Sequence, residues 1–269
     1  SGDSERPTSI RVNTDKIDVE TFAKKLEQNE IKVVRGTLND TSLLISGYDY
    51  IRKVPGFFDG EFVVQDQSSC LAVRAADIRE GYTVIDVCAA PGGKTMFAAS
   101  LAGKTGRVIS RDLTEKKVEL IEENVERLGL NNVMVQAYDA RELDESLVDK
   151  ADVVIADLPC SGLGIMGRKN DIKYHVTGDS IKELAELQRS ILDVACRYVK
   201  KGGTLVYSTC TIDSMENEDN ARWFAETHDF DLCGIDDLIP QHGGEKGYVT
   251  LRQGIDECDG FFISKFVRR

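Results

Sequence analysis

The feature that most constrains this chain is a regular alternation of apolar, strand-like runs and helix-like segments that begins near residue 76. In the segment 115–130, for example, Val118, Ile121 and Val125 recur at helical spacing. Such alternation predicts an α/β fold with a mostly parallel, doubly wound sheet and helices on both faces. The predicted strands are 83–88, 107–113, 133–139, 151–159, 203–210 and 260–269, and the predicted helices are 94–103, 115–130, 180–199 and 216–227.

Residues 1–75 lack this alternation and are predicted to form a small N-terminal α+β domain, which leaves residues 76–269 as the second domain. The segment 18–30 has helical character, and Asp18 is suited to be its N-cap. This region contains no glycine-rich phosphate loop, so the chemistry is expected elsewhere. Its predicted strands are 10–13, 31–36 and 42–46.

In doubly wound sheets, ligands bind at the carboxyl ends of the strands. The first such end carries DVCAAPGGKT (86–95), in which a strand runs through small residues and two glycines into a helix. Glycines let a ligand approach the backbone closely, and a helix N-terminus offers free N–H groups and a positive dipole end. A plain strand–helix turn is the simplest interpretation. A phosphate loop and a site for a nucleoside-containing cofactor are the two alternatives.

The phosphate loop GxxxxGK[ST] is matched at 93–95, but Cys88 stands in place of its first glycine. The run 153–157 could pass for the strand and aspartate of a Walker B motif. Asp112 and Asp139 favour the other alternative, because they end the next two predicted strands, where carboxylates could accept from ribose hydroxyls and an adenine amine. Carboxylates repel a triphosphate but tolerate a cationic nucleoside. The pattern therefore favours S-adenosylmethionine, a sulfonium, as cofactor.

Two cysteines follow later strands on the same predicted edge. Cys160 lies in DLPCSG (157–162), and Cys210 lies in YSTCT (207–211). A lone cysteine is usually a small buried hydrophobic residue, but two such thiols beside a methyl donor suggest covalent catalysis. Thiolate addition to C6 of a pyrimidine turns C5 into a carbon that can accept a methyl group. An acid near N3 and a base for the C5 proton would complete this reaction.

These motifs together resemble those of the RsmB/NOP/Sun family of RNA cytosine-5 methyltransferases. The likeness covers nearly the whole chain and is closest to the bacterial branch that acts on 16S ribosomal RNA. It implies a Rossmann-like S-adenosylmethionine methyltransferase fold with a small N-terminal domain of RNA-recognition-motif type. The matching segments include DVCAAPGGKT (86–95), DLPCSG (157–162), STCT (208–211), PGFFDGEFVVQDQSSCLA (55–72), ENE (216–218) and DGFF (259–262).

The resemblance also implies residue roles. Cys210 would be the nucleophile, Cys160 would assist release of the methylated RNA, Asp157 would contact N3 and the amino group of cytosine, and Lys94 would approach the active site. In DNA cytosine-5 enzymes the cysteine of the Pro-Cys motif is the nucleophile. If the same held here, Cys160 would be the nucleophile and Cys210 would assist release. The implied cofactor-binding set is Cys88, Ala89, Ala90, Pro91, Gly92, Gly93 and Lys94 around the methionine end, Asp112 at the ribose, Asp139 at the adenine, and Lys117 and Asp157 beside them.

The chain departs from the family pattern after the Pro-Cys motif, where GRKND (167–171) replaces the usual paired arginines and proline. Members of the bacterial branch also usually carry a helical RNA-binding domain like that of the antitermination factor NusB, and this sequence begins after the place where it would end. The expected substrate is 16S ribosomal RNA or a small-subunit precursor. The alternatives are a transfer-RNA cytosine-5 methyltransferase, a P-loop NTPase and a non-catalytic RNA-binding assembly module.

Composition and charge indicate which metals, cellular location and partners to expect. The seven cysteines form no CxxC pair, and the three histidines do not join them at zinc spacing, so reduced thiols and no metal are expected. No signal peptide or membrane-spanning run is visible, which predicts a cytoplasmic protein, expected to be a monomer. The net charge of −12 disfavours nucleic acid as a binding partner, because phosphates are bound largely by Lys and Arg. The exception is 164–175, where Arg168, Lys169 and Lys173 predict a small basic RNA path.

Overall fold

The computed structural model describes residues 7–165, 177–242 and 246–269. The N-terminal part forms a four-stranded antiparallel sheet in the order β2-β3-β1-β4. Helix α1 covers this sheet, and Asp18 caps it by accepting from the backbone N of Thr21 at 2.9 Å, as predicted. The elements are β1 (Thr8–Val12), α1 (Val19–Glu27), β2 (Lys32–Arg35), β3 (Ser42–Ser46) and β4 (Phe62–Val64).

The larger sheet has the order β10-β12-β9-β8-β5-β6-β7, and β11 also pairs with β12. The five strands from β9 to β7 are parallel, whereas β12 runs antiparallel to β9. This order confirms the predicted mostly parallel, doubly wound sheet. Its strands are β5 (Thr83–Asp86), β6 (Arg107–Asp112), β7 (Val133–Ala137), β8 (Ala151–Asp157), β9 (Val199–Thr209), β10 (Phe230–Leu232), β11 (Tyr248–Leu251) and β12 (Phe261–Arg268).

Alternate residues of these strands divide the core between the two faces of the sheet. Val84 and Val153 pack in a cluster with residues of α2 and α3. Ile85 and Val154 pack in a second cluster with residues of α5 and α6. Helices therefore cover both faces, as predicted. The helices are α2 (Gln67–Ala75), α3 (Gly93–Ala102), α4 (Glu115–Leu128), α5 (Gly178–Ala195) and α6 (Glu218–Thr227).

Some boundaries differ from the predicted ones for local reasons. Helix α5 begins two residues early, because Thr177 and Ser180 form a capping box there. Strand β7 ends two residues before Asp139, whose carboxylate accepts from the backbone N of Arg141 in a local turn at 2.9 Å. The sequence patterns did not predict β4, α2, β10 or β11. The domain boundary after residue 75 stays a prediction. Strand β4 pairs within the small sheet, whereas residues of α2 pack in a core cluster of the large sheet.

In the described ranges, none of the helices has both the length and the apolar character needed to cross a membrane.

Candidate active site

The predicted site residues meet at the carboxyl edge of the large sheet because their strands are neighbours. Strand β5 lies between β6 and β8, and β8 pairs with β9 in a register that sets Asp157 opposite Ser208. Asp86, Asp112 and Asp157 are the last residues of β5, β6 and β8. Two cavities open at this edge, with volumes of about 400 and 310 Å³. Volumes of this size are typical of small-molecule sites.

The larger cavity collects residues from all five parallel strand ends and from α5. Its apolar side includes Leu158 from the β8 end and Leu187 and Ile191 from α5. Its polar side holds most of the predicted nucleoside contacts. The predicted residues that line it are Cys88, Ala90, Asp112, Lys117, Asp139, Asp157, Cys160 and Cys210.

Asp112 is buried and organises two turns of this cavity. One carboxylate oxygen accepts from the backbone N of Ala90 at 2.9 Å, which ties the β5 turn to the β6 end. The other oxygen accepts from the backbone N of Leu113 at 2.7 Å and from Nζ of Lys117 at 2.9 Å. Lys117 is half exposed, so its ammonium can leave this contact. The carboxylate of Asp112 is therefore suited to accept from a ligand hydroxyl.

Asp139 has a different environment on the far side of this cavity. Its carboxylate forms a pair with Arg141, with the closest N–O distance at 2.5 Å. The hydrogen bonds of Arg141 lower the pKa of Asp139 from its usual range. Both side chains contact solvent, so an incoming amine can share this carboxylate with the guanidinium.

The turn between β5 and α3 separates the two cavities. Gly92 has a φ of +105°, a left-handed conformation that favours glycine, and a Cβ there would lie 3.3 Å from Ile121. Gly92 is buried, and neither cavity has it among its lining residues. The other predicted turn residues reach the smaller cavity, which is lined by Cys88, Ala89, Ala90, Pro91, Gly93 and Lys94, and also by Asp157 and Cys210.

Lys94 and Asp157 form an ion pair where the two cavities adjoin. Nζ of Lys94 donates to one Asp157 oxygen at 2.6 Å, and Oγ of Ser208 donates to the other at 2.7 Å. The ammonium also lies 5.3 Å from the ring centroid of Phe261. Burial alone would lower the pKa of Lys94, but the charge and hydrogen bond of Asp157 outweigh it and raise that pKa. Lys94 therefore supplies a positive charge at this junction.

Cys160 and Cys210 lie side by side, with their sulfur atoms 3.0 Å apart. The hydrogen bond between them raises the pKa of Cys160 and lowers that of Cys210, while Lys94 also favours the Cys210 thiolate. Of the two thiols, Cys210 is therefore the one whose thiolate form the site favours. This asymmetry favours Cys210 over Cys160 as the nucleophile.

The sequence matches the family described as 16S rRNA methyltransferase RsmB/F over residues 73–267. The chain belongs to this family. It is 42% identical over 262 residues to the probable ribosomal RNA small subunit methyltransferase B of Bacillus subtilis. That alignment covers 95% of this chain and 58% of the relative's length.

Solved structures place this RsmB/F family member in the Rossmann-like methyltransferase fold. The protein PH0851 superimposes with a TM-score of 0.93 at 34% identity, covering 98% of this chain and 60% of that one. A methyltransferase homologue from Pyrococcus horikoshii gives a TM-score of 0.85 at 29% identity and covers 99% and 88% of the two chains. The predicted fold class and family are thus confirmed.

The predicted RNA path cannot be located at this site. Arg168, Lys169 and Lys173, the predicted RNA path, lie outside the described residues. Within the described ranges, no three His, Cys, Asp or Glu side chains are placed to hold a metal ion. The expectation that the protein needs no metal stays a prediction.

The sequence did not predict several residues that line or support the site, although Ser208, Glu216 and Phe261 lie inside the segments that match the family. The missed residues are Tyr138, Arg141, Leu187, Ile191, Ser208, Glu216 and Phe261.

Proposed function

We propose that this protein methylates C5 of a cytosine in 16S ribosomal RNA or a small-subunit precursor, using S-adenosylmethionine and a covalent adduct on Cys210. The observation that carries the proposal is the paired sulfur atoms of Cys160 and Cys210 at the junction of two cavities. Lys94 and Asp157 lie at the same junction. The larger cavity would take the nucleoside part of the cofactor, and the smaller one would take its methionine end, with the target base entering beside Cys210.

The donor set of the site fits S-adenosylmethionine. In the larger cavity, Asp112 and Asp139 provide carboxylates for a ribose and an adenine amine, beside the apolar side chains of α5. One oxygen of the buried Asp86 has no hydrogen-bond partner among the described residues, and Asp86 borders the smaller cavity. The ammonium of the cofactor's methionine end would satisfy that oxygen. When bound, the sulfonium would supply an electrophilic methyl group.

The chain's own residues account for the rest of the chemistry. The Cys210 thiolate forms a bond to C6 of cytosine, and the displaced electron pair makes C5 nucleophilic. Asp157 faces N3 and the amino group, and Lys94 balances its charge. After C5 has taken the methyl group, a base removes the C5 proton, and the electron pair left on C5 expels the Cys210 thiolate. Cys160, whose sulfur lies 3.0 Å from that of Cys210, would assist this release.

The names of the relatives support the proposed substrate class. The family description and the name of the Bacillus subtilis relative both specify small-subunit ribosomal RNA. These names favour ribosomal over transfer RNA, and they favour methyl transfer over the NTPase and the non-catalytic alternatives. The target base must leave any stack to reach Cys210. We further propose that the protein acts as a monomer in the cytoplasm, without a metal.

Replacing the nucleophile tests the mechanism. Cys210→Ala should reduce methyl transfer from labelled S-adenosylmethionine to protein-free 16S RNA by about 10⁴-fold or more, since no other group replaces the thiolate. Cofactor binding should be unchanged by calorimetry. Cys233→Ala is the matched control, because Cys233 is also half-buried but its thiol, among the described residues, bonds only to the backbone O of Asp231 in β10. Near-wild-type turnover by Cys210→Ala would contradict the proposed covalent mechanism.

The release role has its own test. Cys160→Ala should still form the Cys210–C6 bond but release the RNA slowly. A protein–RNA adduct should then persist on a denaturing gel and disappear in the double variant with Cys210→Ala. An adduct that instead requires Cys160 would exchange the two roles. Mapping the labelled base decides between ribosomal and transfer RNA, because methylated transfer RNA with unmodified 16S RNA would refute the proposed substrate.

A further inference from the structure

Glu216 is a fully buried carboxylate whose described side-chain hydrogen bonds go to neither cysteine. Its described partners are uncharged donors. One oxygen accepts from the backbone N of Ser161 at 3.0 Å and from Nε2 of Gln188 at 2.9 Å. The other accepts from Oγ of Ser161 at 2.5 Å. Burying a carboxylate costs free energy unless its hydrogen bonds are made, so this network determines where Glu216 lies.

The partners of Glu216 hold the chain on both sides of Cys160. Ser161 directly follows that cysteine and is bonded to Glu216 through backbone and side chain. Pro159 directly precedes it, and its carbonyl O accepts from Nε2 of Gln188 at 2.9 Å. The same Gln188 nitrogen donates to Glu216. The Cys160 backbone is therefore fixed at its two neighbours.

The same network reaches both neighbours of Cys210. The hydroxyls of Ser161 and Thr211 lie 2.8 Å apart, and the Ser161 proton goes to Glu216, so Thr211 donates. Asn217, next to Glu216, donates to the carbonyl O of Thr211 at 3.0 Å and accepts from Oγ1 of Thr209 at 2.5 Å. One buried cluster thus fixes the neighbours of both cysteines.

We propose that Glu216 is a positioning residue that sets the separation of the Cys160 and Cys210 thiols through Ser161, Gln188 and Thr211. It acts by accepting hydrogen bonds, not by its charge. The mechanistic consequence rests on the proposed function, whereas the thiol geometry does not. A loss of the network lets the cysteine loops move apart, so the Cys160 thiol no longer donates to Cys210.

Two substitutions separate hydrogen bonding from charge. Glu216→Ala leaves Ser161 N and Gln188 Nε2 without an acceptor. In Glu216→Gln the carbonyl O can still accept from both, while the new NH₂ donates to Oγ of Ser161, which then donates to Thr211. We therefore expect Glu216→Gln to behave like the unmodified protein. Glu218→Ala is the matched control, since Glu218 lies two residues on and accepts from Thr250.

The first readout needs neither RNA nor methyl transfer. The rate at which iodoacetamide alkylates Cys210 is followed against pH by peptide mass spectrometry. The midpoint of this pH dependence reports the pKa of the Cys210 thiol. In Glu216→Ala, loss of the hydrogen bond from Cys160 should raise the midpoint by about one pH unit, because a hydrogen bond to a thiolate favours the charged form. Glu216→Gln and Glu218→Ala should keep the original midpoint. A folded Glu216→Ala protein with an unchanged midpoint overturns the proposal, as does a Glu216→Gln midpoint equal to that of Glu216→Ala.

The second readout is kinetic. Glu216→Ala should lower kcat about 10- to 100-fold, since misplacement of a reacting group by 1 Å can cost 100-fold, and KM for RNA should change less than about threefold.

If Glu216→Ala does not fold, Ser161→Ala replaces it. That change removes the hydroxyl that bonds to Glu216 and Thr211 but keeps the hydrogen bond from the Ser161 backbone N to Glu216. An unchanged Cys210 midpoint in folded Ser161→Ala then overturns the proposal. If the thiol readout succeeds but even the unmodified protein transfers no methyl group to RNA, the positioning role stands and the proposed function fails.

Discussion

The two halves of the strand-end edge are built in different ways. In the cofactor half, defined as Asp112, Lys117, Asp139 and Arg141, each ion pair joins residues two or five positions apart. In the thiol half, defined as Lys94, Asp157, Cys160 and Cys210, partners are 50 or 63 positions apart. The first half is held by local turns, whereas the second depends on the order of β5, β8 and β9 in the sheet.

The halves also differ in contact with water. The side chains of Lys117 and Arg141 are 51% and 55% exposed, whereas that of Lys94 is 11% exposed. Exposed ion pairs contribute little to stability and exchange partners readily. A buried pair has no water to replace a lost partner. The cofactor half is therefore suited to admit and release a ligand, and the thiol half to hold reacting groups in place.

Removal of one lysine from each half gives the largest contrast. Lys94→Met should lower single-turnover methyl transfer about 10²- to 10³-fold, as expected for loss of one buried electrostatic contact at a reacting centre. Lys117→Met removes an exposed lysine and should cost less than about fivefold, since water replaces it. Rates are measured by rapid quench with labelled cofactor at saturating concentrations. Equal losses in both variants would contradict the contrast between the halves.

The cofactor half could be predicted from the sequence because its signals are local. The turn of 86–95 and the aspartates near successive strand ends mark it, and the structure brings Asp112 and Asp139 to one cavity. The capping residue Asp18 was predictable for the same reason. Arg141 was missed, although it lies two residues from Asp139, because exposed ion pairs have no distinct sequence pattern.

The thiol half could be predicted only in part. The motifs identified Cys160 and Cys210, but their 3.0 Å separation depends on pairing between β8 and β9 and on a buried cluster around Glu216. No periodicity in the sequence relates Ser161 to Glu216, 55 positions later. Ser208 was missed as a partner of Asp157 for the same reason, because its role follows from strand register.

A second contrast concerns stability against pH. Burial raises the pKa of Asp86, at the end of β5, to about 7, whereas Arg141 lowers the pKa of the half-buried Asp139. A carboxyl whose pKa is raised on folding stabilises the protein fully below its unfolded value, near 4. This contribution is lost as pH rises through about 7. Ionisation of Asp86 should therefore destabilise the ligand-free protein between pH 4 and pH 7.

Asp86→Asn should abolish this loss, because the amide stays neutral and its oxygen still accepts from Thr95. At pH 8 the variant should be more stable than the unmodified protein by about 2–4 kcal/mol, given about 1.4 kcal/mol for each pKa unit. At pH 4.5, only about half a unit above the unfolded value, the difference should fall to about 1 kcal/mol or less. Urea unfolding at both pH values measures it, with Asp139→Asn as the control that shows no gain at pH 8. A constant difference across pH would mean that Asp86 does not titrate in this range.

The smallest expected effects lie within the cofactor half and rank its two carboxylates. Asp112→Asn should weaken binding of S-adenosylhomocysteine about 10-fold or more, since a hydrogen bond to a buried charged group contributes about 1.5–3 kcal/mol. Asp139→Asn should weaken it only about two- to threefold, because Asp139 is more exposed and Arg141 already shares its charge. Calorimetry measures both, and circular dichroism checks that the turn at Ala90 is kept. A larger effect at Asp139 would place the main anchor of the nucleoside at the adenine end, and the assignment of Asp112 to the ribose would then be wrong.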